Sequence, residues 1–213
     1  MKIGALAPSF YKGEIMQAEI EAKFIDIDTE DMRARLRAAG AELERPMRAM
    51  KHALIEEEYH VLDNSFIRIR DEGDKTTLTF KRRTKSDKNS TIDSTHELET
   101  TVGDFDTTVK IFTEAGWEYI TFQESRRETW HLGDAEVVID EWPWIKPYIE
   151  IEAATEAEVR RAADILGFNW NHAVFGSVDM IYSRDFPHMT VRGVIDIKEV
   201  RFDDPVPKEF LGE

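Results

Sequence analysis

Polar and apolar side chains alternate along several stretches of the chain, a pattern typical of β-strands with two different faces. Between residues 18 and 24, the side chains of Glu19, Glu21 and Lys23 share one face, while apolar side chains share the other. The same alternation recurs in four later segments, at residues 66–70, 77–83, 96–100 and 148–152. Short turns join most successive strands, so we expect a mostly antiparallel sheet.

Start and stop signals predict the other elements. The first predicted strand ends at about residue 27. The later strands are predicted over residues 53–62, 65–70, 76–83, 94–101, 118–130, 135–140 and 148–153. Helices are predicted between capping residues and glycines over residues 31–39, 104–115 and 156–166, and a further helix is predicted over about 177–185. The expected caps are Asp28 or Thr29, Asp104 or Asp106, and Thr155, which opens a capping box. Residues 42–52 are ambiguous, and 191–202 contain a strand candidate.

The distribution of charge over the predicted strands bears on the shape of the sheet. Some strands carry only bases on their polar face and others carry mainly acids, whereas a face exposed to solvent usually mixes the two signs. We therefore predict an α+β fold built on a closed eight-stranded antiparallel β-barrel, a tunnel with a polar, charged lumen and helices packed outside. A one-sided sheet with its charged face in solvent is the alternative.

Length and composition exclude several classes of protein. A chain of 213 residues with 41% apolar residues suits one domain with additions. It contains no run of about 18 apolar residues and no signal-peptide core, so we expect no membrane span. The absence of cysteine excludes disulfides and thiolate chemistry and agrees with a cytoplasmic location.

The net charge of −15 argues against general binding to nucleic acids or anionic membranes. To hold a polyanion, so acidic a chain must concentrate its bases locally. The candidates for such a cluster are Lys23, Arg68, Arg70, Lys81, Arg83 and Arg127. Paired carboxylates beside bases are what phosphate chemistry with Mg²⁺ or Mn²⁺ needs, and the bound cation would neutralise part of the acidic wall.

Other conspicuous residues have simpler explanations. Trp142, Trp144 and Tyr148 could stack a nucleobase at a tunnel mouth, but such a cluster more often packs as core or rim. The six histidines show no metal-ligand spacing, so we interpret them as structural or surface residues. Arg82 and Arg126 are interpreted as surface charges.

The ordered set of charged motifs resembles the CYTH superfamily, also called triphosphate tunnel metalloenzymes. This superfamily includes class IV adenylyl cyclases, thiamine triphosphatases and inorganic or RNA triphosphatases. Its motifs look present here in order, as Glu19-x-Glu21-x-Lys23, Arg68-x-Arg70, Lys81 with Arg83, Glu97 and Glu99, Arg127, Asp140, and Glu150-x-Glu152. The resemblance covers roughly residues 17–183 and is closest to the prokaryotic cyclase branch.

The resemblance implies a domain organisation and a role for each motif. Residues 1–16 would be an N-terminal extension, 17–185 the tunnel domain and 186–213 a C-terminal tail. One or two Mg²⁺ or Mn²⁺ ions would be held by Glu19, Glu21, Asp140, Glu150 and Glu152. The triphosphate would be bound by Lys23, Arg68, Arg70, Lys81, Arg83 and Arg127. Lys23, Lys81 and Arg127 would act in catalysis, and Glu97 and Glu99 would be further acidic residues of the tunnel.

Three functions follow from the resemblance. The first is a class IV adenylyl cyclase, which converts ATP to cyclic AMP and pyrophosphate. Some cyclase-branch members carry a lysine two residues before the late arginine, where this chain has Ser125. This difference favours the alternative, a triphosphatase that hydrolyses inorganic triphosphate or thiamine triphosphate. A third alternative is a non-catalytic module that binds polyphosphate or nucleotides. Homodimers are common among such folds.

Overall fold

The computed structural model describes residues 17–56, 65–83, 95–190 and 193–212, which form an α+β fold of nine strands and five helices. The strands are β1 (Gln17–Phe24), β2 (Glu42–Glu56), β3 (Ser65–Asp71), β4 (Thr76–Arg83), β5 (Thr95–Val102), β6 (Glu118–Leu132), β7 (Ala135–Glu141), β8 (Tyr148–Ala153) and β9 (Glu199–Val200). The helices are α1 (Thr29–Ala38), α2 (Phe105–Glu114), α3 (Glu156–Ile165), α4 (Asp179–Asp185) and α5 (Lys208–Leu211), with 3₁₀ turns at Trp170–His172 and Gly193–Asp196. Among these residues, no helix combines the length and apolar character needed to cross a membrane.

The strands form one sheet that brings distant parts of the chain together. Its order is β2-β3-β4-β5-β1-β8-β7-β6-β9, and the neighbours are antiparallel except for the two-residue β9, which runs parallel to β6. β2 and β6 also pair with each other, from Glu42 opposite His131 to Glu56 opposite Glu118. Each of the strands β1–β8 therefore has at least two strand neighbours.

The apolar faces of the strands pack against the helices. α1 contributes Leu36 and α3 contributes Val159 to a buried cluster with Ile149 of β8. α2 packs Phe105 in a second cluster with Ile69 of β3. Because side chains alternate along a strand, the polar faces of the same strands point away from these helices.

The predicted caps of three helices are confirmed. The Asp28 carboxylate accepts a hydrogen bond from the backbone N–H three residues later, and Asp104 does the same at α2. At α3, the Thr155 hydroxyl accepts from the N–H of Glu158 and donates to its carboxylate at 2.8 Å. These contacts satisfy backbone donors that the first turn of a helix leaves without partners.

Two strand boundaries differ from the prediction. β1 ends at Phe24 rather than near Ile27, because Asp26 has a φ of 60°, outside the range of extended backbone. The ambiguous residues 42–52 belong to β2, which ends at Glu56. The rest of the strand predicted over 53–62 lies outside the described residues.

The strand predicted over residues 191–202 is wrong for most of the described part of this segment. Residues 191 and 192 lie outside the description, the next four form a 3₁₀ turn, and only Glu199–Val200 pair with β6. The turn depends on Gly193, whose φ of +65° is disfavoured for other residues. The tail instead contributes to a third buried cluster, which contains Tyr182, Val194, Val200 and Phe210.

Candidate functional site

A cavity of about 400 Å³ is lined by side chains from each of the strands β1–β8. The lining includes ten of the residues singled out in the sequence: Glu21, Lys23, Arg68, Arg70, Lys81, Glu97, Glu99, Arg127, Glu150 and Glu152. Asp140 lies next to this lining and contacts Arg127. Glu19 and Arg83 belong to β1 and β4, but their side chains lie outside the described part of the chain.

Strand register places carboxylates side by side on three adjacent strands. Glu21 of β1 lies opposite Glu152 of β8, and Glu136 of β7 lies opposite Glu152 on its other side. Next along the strands, Lys23 lies opposite Glu150. Because directly opposed residues point to the same face, these groups share one wall of the cavity, which we call the acidic wall.

Crowding on the acidic wall raises the pKa of one carboxyl group. Burial and the neighbouring carboxylates raise the pKa of Glu152 to about 7. The neighbours responsible are Glu150, Glu21 and Glu136. An excess of closely spaced carboxylates is the electrostatic condition that favours a divalent cation with oxygen ligands.

Lys23 compensates part of the charge of the acidic wall. Its ammonium lies 2.9 Å from Glu150 and also contacts Glu21, and only 3% of the residue is exposed. Burial opposes the positive charge, but the two carboxylates outweigh it and raise the pKa of Lys23 above its usual range. Burial likewise opposes the charge of Glu150, yet Lys23 and Arg127 lower its pKa to about 2.

Arg127 lies where the acidic wall meets the basic residues. Its Nε and Nη2 atoms donate to the two carboxylate oxygens of Asp140 at 2.7 and 2.6 Å, and Nη2 is 3.5 Å from Glu150. Burial opposes the charge of Arg127, but these carboxylates raise its pKa well above the usual value. Asp140, which the resemblance implies as a metal ligand, therefore orients a guanidinium in this structure.

Bases from β3 and β4 form the cationic part of the cavity. Lys81 lies 2.7 Å from Glu97, and Arg70 lies 2.8 Å from Glu72. Arg68 lines the same cavity from the next inward position of β3. Carboxylates therefore hold Lys81 and Arg70 in position, which limits the reorganisation needed when an anion binds.

Arg48 and Glu72 line the cavity but were not predicted. Arg48 donates to Glu72 at 3.3 Å and to the Thr129 hydroxyl at 3.2 Å, and Glu72 is only 4% exposed. The register of β2 with β6 shifts between Arg45 and Arg48. Such an irregularity breaks the period of two, which explains why the alternation that predicts inward residues was not visible there.

The structure also brings together one histidine and two glutamates, a cluster that the sequence did not indicate. Glu44, His131 and Glu136 have ligand atoms within 4.8 Å of one another and could hold a metal ion. These residues come from β2, β6 and β7, so their proximity arises from strand pairing rather than from spacing along the chain. Glu136 joins this cluster to the acidic wall.

His52 is buried in the cavity wall. The sequence predicted only a structural or surface residue here and did not indicate that it lines the cavity. Its Nε2 atom lies 2.8 Å from the Ser125 hydroxyl, and its ring stacks on Trp142 with centroids 5.2 Å apart. Burial and three arginines lower the pKa of His52 well below 6.5, so the ring is neutral. Those arginines are Arg68, Arg70 and Arg127.

The residues of the predicted aromatic cluster lie in two overlapping environments. Trp142 and Tyr148 line the cavity, and Trp142 and Trp144 both pack against the buried cluster formed with the tail. Trp144 therefore packs in the core or rim, as the sequence predicted for such a cluster. Its indole N–H donates to the Asp204 carbonyl at 2.7 Å.

A profile of the CYTH domain matches residues 17–170, more than half of the chain. The chain belongs to the CYTH family. The match contains every strand that lines the cavity, and it ends before α4 and the tail. No curated protein sequence matches this CYTH protein.

Among the solved structures that share the fold of this CYTH protein, three illustrate the range of similarity. A conserved hypothetical protein from Pyrococcus furiosus is 21% identical, with a TM-score of 0.61 over 73% of this chain and 94% of that one. A proposed adenylate cyclase from Vibrio parahaemolyticus is 12% identical, with a TM-score of 0.67 over 79% of this chain and 99% of that one. A proposed adenylyl cyclase from Hippeastrum with a dominant triphosphatase activity is 13% identical, with a TM-score of 0.51 over 83% of this chain and 98% of that one. Identities this low establish the fold alone.

Proposed function

We propose that this CYTH protein is a divalent-metal-dependent enzyme that binds a triphosphate in a closed β-tunnel and carries out phosphoryl or nucleotidyl transfer. The observation that carries the proposal is one cavity in which the acidic wall around Glu152 adjoins bases such as Arg127 and Lys81. Divalent cations prefer carboxylate oxygens, and phosphate oxygens prefer arginine and lysine, so this cavity offers partners for both.

The pairing of β2 with β6 supports a closed tunnel. Without this pairing, the sheet would have β2 as one of its edges. A closed eight-stranded antiparallel barrel alternates inward and outward side chains along every strand. The division between cavity-lining polar residues and helix-packed apolar residues agrees with that geometry.

The closely spaced carboxylates of the acidic wall suit a divalent cation. Burial and repulsion from the neighbouring carboxylates raise the pKa of Glu152 to about 7. We assign the metal to Glu19, Glu21, Glu150 and Glu152, with Asp140 beside them. A bound Mg²⁺ or Mn²⁺ would polarise phosphate oxygens as a Lewis acid.

The bases of the cavity would bind the triphosphate. We assign this role to Lys23, Arg68, Arg70, Lys81, Arg83 and Arg127. Arginine offers paired donors to phosphate oxygens, while lysine acts as a compact point charge. Arg127 is already oriented by its bidentate bond to Asp140, so it can stabilise developing negative charge without first losing rotamer freedom.

The class IV cyclase reaction is the first candidate. In it the 3′-hydroxyl of ATP attacks the α-phosphorus in line, the bond to the β-phosphate oxygen breaks, and pyrophosphate leaves. The chain's bases would hold the departing diphosphate, and Lys23 and Arg127 would neutralise charge on it. The fold shared with the proposed cyclase from Vibrio supports this candidate.

Hydrolysis is the second candidate, and Ser125 favours it. In a triphosphatase, water attacks the γ-phosphorus, the bond from this phosphorus to the bridging oxygen of the β-phosphate breaks, and the diphosphate leaves while the γ-phosphorus becomes orthophosphate. The cavity has the uncharged Ser125–His52 pair where part of the cyclase branch carries a lysine. The triphosphatase activity of the Hippeastrum relative, whose fold is shared, shows that this fold can support hydrolysis.

Turnover assays test the proposal. The protein is incubated with Mg²⁺ or Mn²⁺ and ATP, inorganic triphosphate or thiamine triphosphate, and the products are separated by chromatography. We expect metal-dependent product formation: cyclic AMP and pyrophosphate identify a cyclase, and orthophosphate identifies a triphosphatase. The double variant Glu21→Gln/Glu152→Gln should lose activity by about a hundredfold or more, since removing groups that bind the reacting charge has effects of that order.

A matched control distinguishes a lost site from a lost fold. Glu114→Gln removes an exposed carboxylate at the end of α2 and should retain wild-type turnover. Binding of these triphosphates without turnover would support the non-catalytic module instead. Full activity in the double variant would overturn the metal assignment.

A further inference from the structure

Three potential metal ligands lie together near the turn between β6 and β7, apart from the carboxylates assigned above to the metal of the proposed reaction. Ligand atoms of Glu44, His131 and Glu136 all lie within 4.8 Å of one another. Glu44 and Glu136 line the cavity. His131 follows Thr129, another lining residue, by two positions on β6, so alternation directs its ring to the same face of the sheet. We call these three residues the end cluster.

A bulge in β2 aims Glu44 at the end cluster. The residues on either side of Glu44 pair with Thr129 and Trp130, which are consecutive on β6, so Glu44 has no residue opposite it. An extra residue of this kind re-aims the side chains of its strand. The Oε2 atom of Glu44 lies 3.0 Å from Nε2 of His131, and its Oε1 atom lies 3.6 Å from Arg45. One carboxylate oxygen thus faces a base, and the other faces the imidazole.

Glu136 brings a second carboxylate to the same imidazole. It lies opposite His131 on one side and opposite Glu152 on the other. Among the residues that the structure describes, the Glu136 carboxylate has no ion pair and no hydrogen bond. A simple hydrogen bond between His131 and Glu44 explains their contact but leaves Glu136 without a partner. A divalent cation between the three side chains would satisfy both carboxylates and the imidazole.

The mixture of one imidazole nitrogen and two carboxylate oxygens selects a class of metal. Mg²⁺ and Ca²⁺ take oxygen ligands, whereas Zn²⁺ and related transition-metal ions also bind imidazole. The ligand atoms of a tetrahedral Zn²⁺ lie roughly 3.4 Å apart, as its ligand bonds of about 2.1 Å require. The contact between His131 and Glu44 is close to that separation, and their side chains are 48% and 40% exposed, so both can adjust to include Glu136.

We propose that Glu44, His131 and Glu136 form a binding site for Zn²⁺ or a related transition-metal ion. Strand spacing leaves room for this ion beside the one of the proposed reaction. His131, Glu136, Glu152 and Glu21 follow one another across β6, β7, β8 and β1. Because neighbouring strands lie about 4.8 Å apart, the first two and the last two are centred roughly 10 Å from each other. The end cluster would bind its ion whether or not the cavity turns over a triphosphate.

Calorimetric titration of untagged protein with Zn²⁺ tests the site. Excess Mg²⁺ is present to occupy sites made only of oxygen ligands. We expect the wild type to bind Zn²⁺, and we expect the affinity to fall about tenfold or more in both His131→Gln and Glu44→Gln. Loss of a residue that merely supports a metal ligand commonly costs 10- to 100-fold, so loss of a ligand should cost at least as much. Zn²⁺ should also raise the Tm of the wild type more than that of either variant.

Two matched variants locate the bound ion. His172→Gln removes an exposed imidazole outside the end cluster and should keep the wild-type affinity for Zn²⁺. Glu21→Gln/Glu152→Gln removes carboxylates assigned to the other metal and should still bind Zn²⁺. Equal affinity in the wild type, His131→Gln and Glu44→Gln would overturn the inference, as would loss of binding in Glu21→Gln/Glu152→Gln alone. A wild type that binds no Zn²⁺ would overturn it too and leave the proposed function standing.

Discussion

Replacement of Glu152 by glutamine should change the pH dependence of stability, because burial and the neighbouring carboxylates raise the pKa of this carboxyl group in the folded protein. In the metal-free protein, folded Glu152 keeps its proton up to about pH 7, whereas the unfolded chain releases it near the ordinary value of 4.5. Between these values the folded state binds more protons than the unfolded state, so the free energy of unfolding falls as the pH rises. At about 1.4 kcal/mol per pH unit, the loss amounts to roughly 3 kcal/mol at most.

The assay is urea denaturation in EDTA at about pH 5 and about pH 8.5. These two values enclose most of the pH range between the unfolded and the folded pKa of Glu152. Glutamine carries no charge, so Glu152→Gln should have a stability close to that of the wild type at the lower pH and exceed it by up to about 3 kcal/mol at the higher pH. Glu114→Gln, on the exposed end of α2, should follow the wild type at both values. If Glu152→Gln were no more stable than the wild type at the higher pH, the raised pKa of Glu152 on the acidic wall would be refuted.

Three further predictions concern other contacts. EDTA should lower the Tm of protein prepared with Mn²⁺ more at about pH 8 than at about pH 5, because Glu152 must lose its proton to ligate; an equal effect would contradict the assignment. Arg127→Lys should cost about 1.5–3 kcal/mol in urea denaturation and reduce kcat, because lysine cannot make the bidentate bond to Asp140; unchanged kcat would place Arg127 outside the reaction. Gly193→Ala should lower stability by about 1–3 kcal/mol, since a Cβ there meets Asp179 at 2.2 Å and φ is +65°; a neutral result in thermal denaturation would show that the tail turn is not closely packed.

Alternation of charged and apolar residues was sufficient to predict many of the charged residues that line the cavity. On β1, a strand conformation forces Glu21 and Lys23 onto one face, whichever strands lie beside it. Similar reasoning on β3 and β8 predicted residues such as Arg70 and Glu150, which the structure brings into the same cavity. The helix caps were equally predictable, because a cap such as Asp28 acts within its own first turn.

Features that depend on pairing between distant strands were not predictable in this way. The approach of Glu136 to Glu152 is set by the register of β7 with β8, which neither strand contains by itself. The bulged pairing of β2 concealed Arg48, and the burial of His52 depends on β6 and Trp142. The strand prediction in the tail was wrong because the 3₁₀ turn at Gly193–Asp196 is stabilised by a contact with α4, which the local alternation of residues does not reveal.

The central claim is that one cavity binds a divalent cation and a triphosphate together. Calorimetric titration of the wild-type protein with imidotriphosphate, a hydrolysis-resistant analogue of inorganic triphosphate, with and without Mn²⁺, tests it most directly. Because the acidic wall and the bases meet at Arg127, the account predicts that Mn²⁺ strengthens binding of the analogue by about tenfold or more, and that the analogue strengthens Mn²⁺ binding by the same factor. Equal affinity with and without Mn²⁺, or no binding in either condition, would contradict the account.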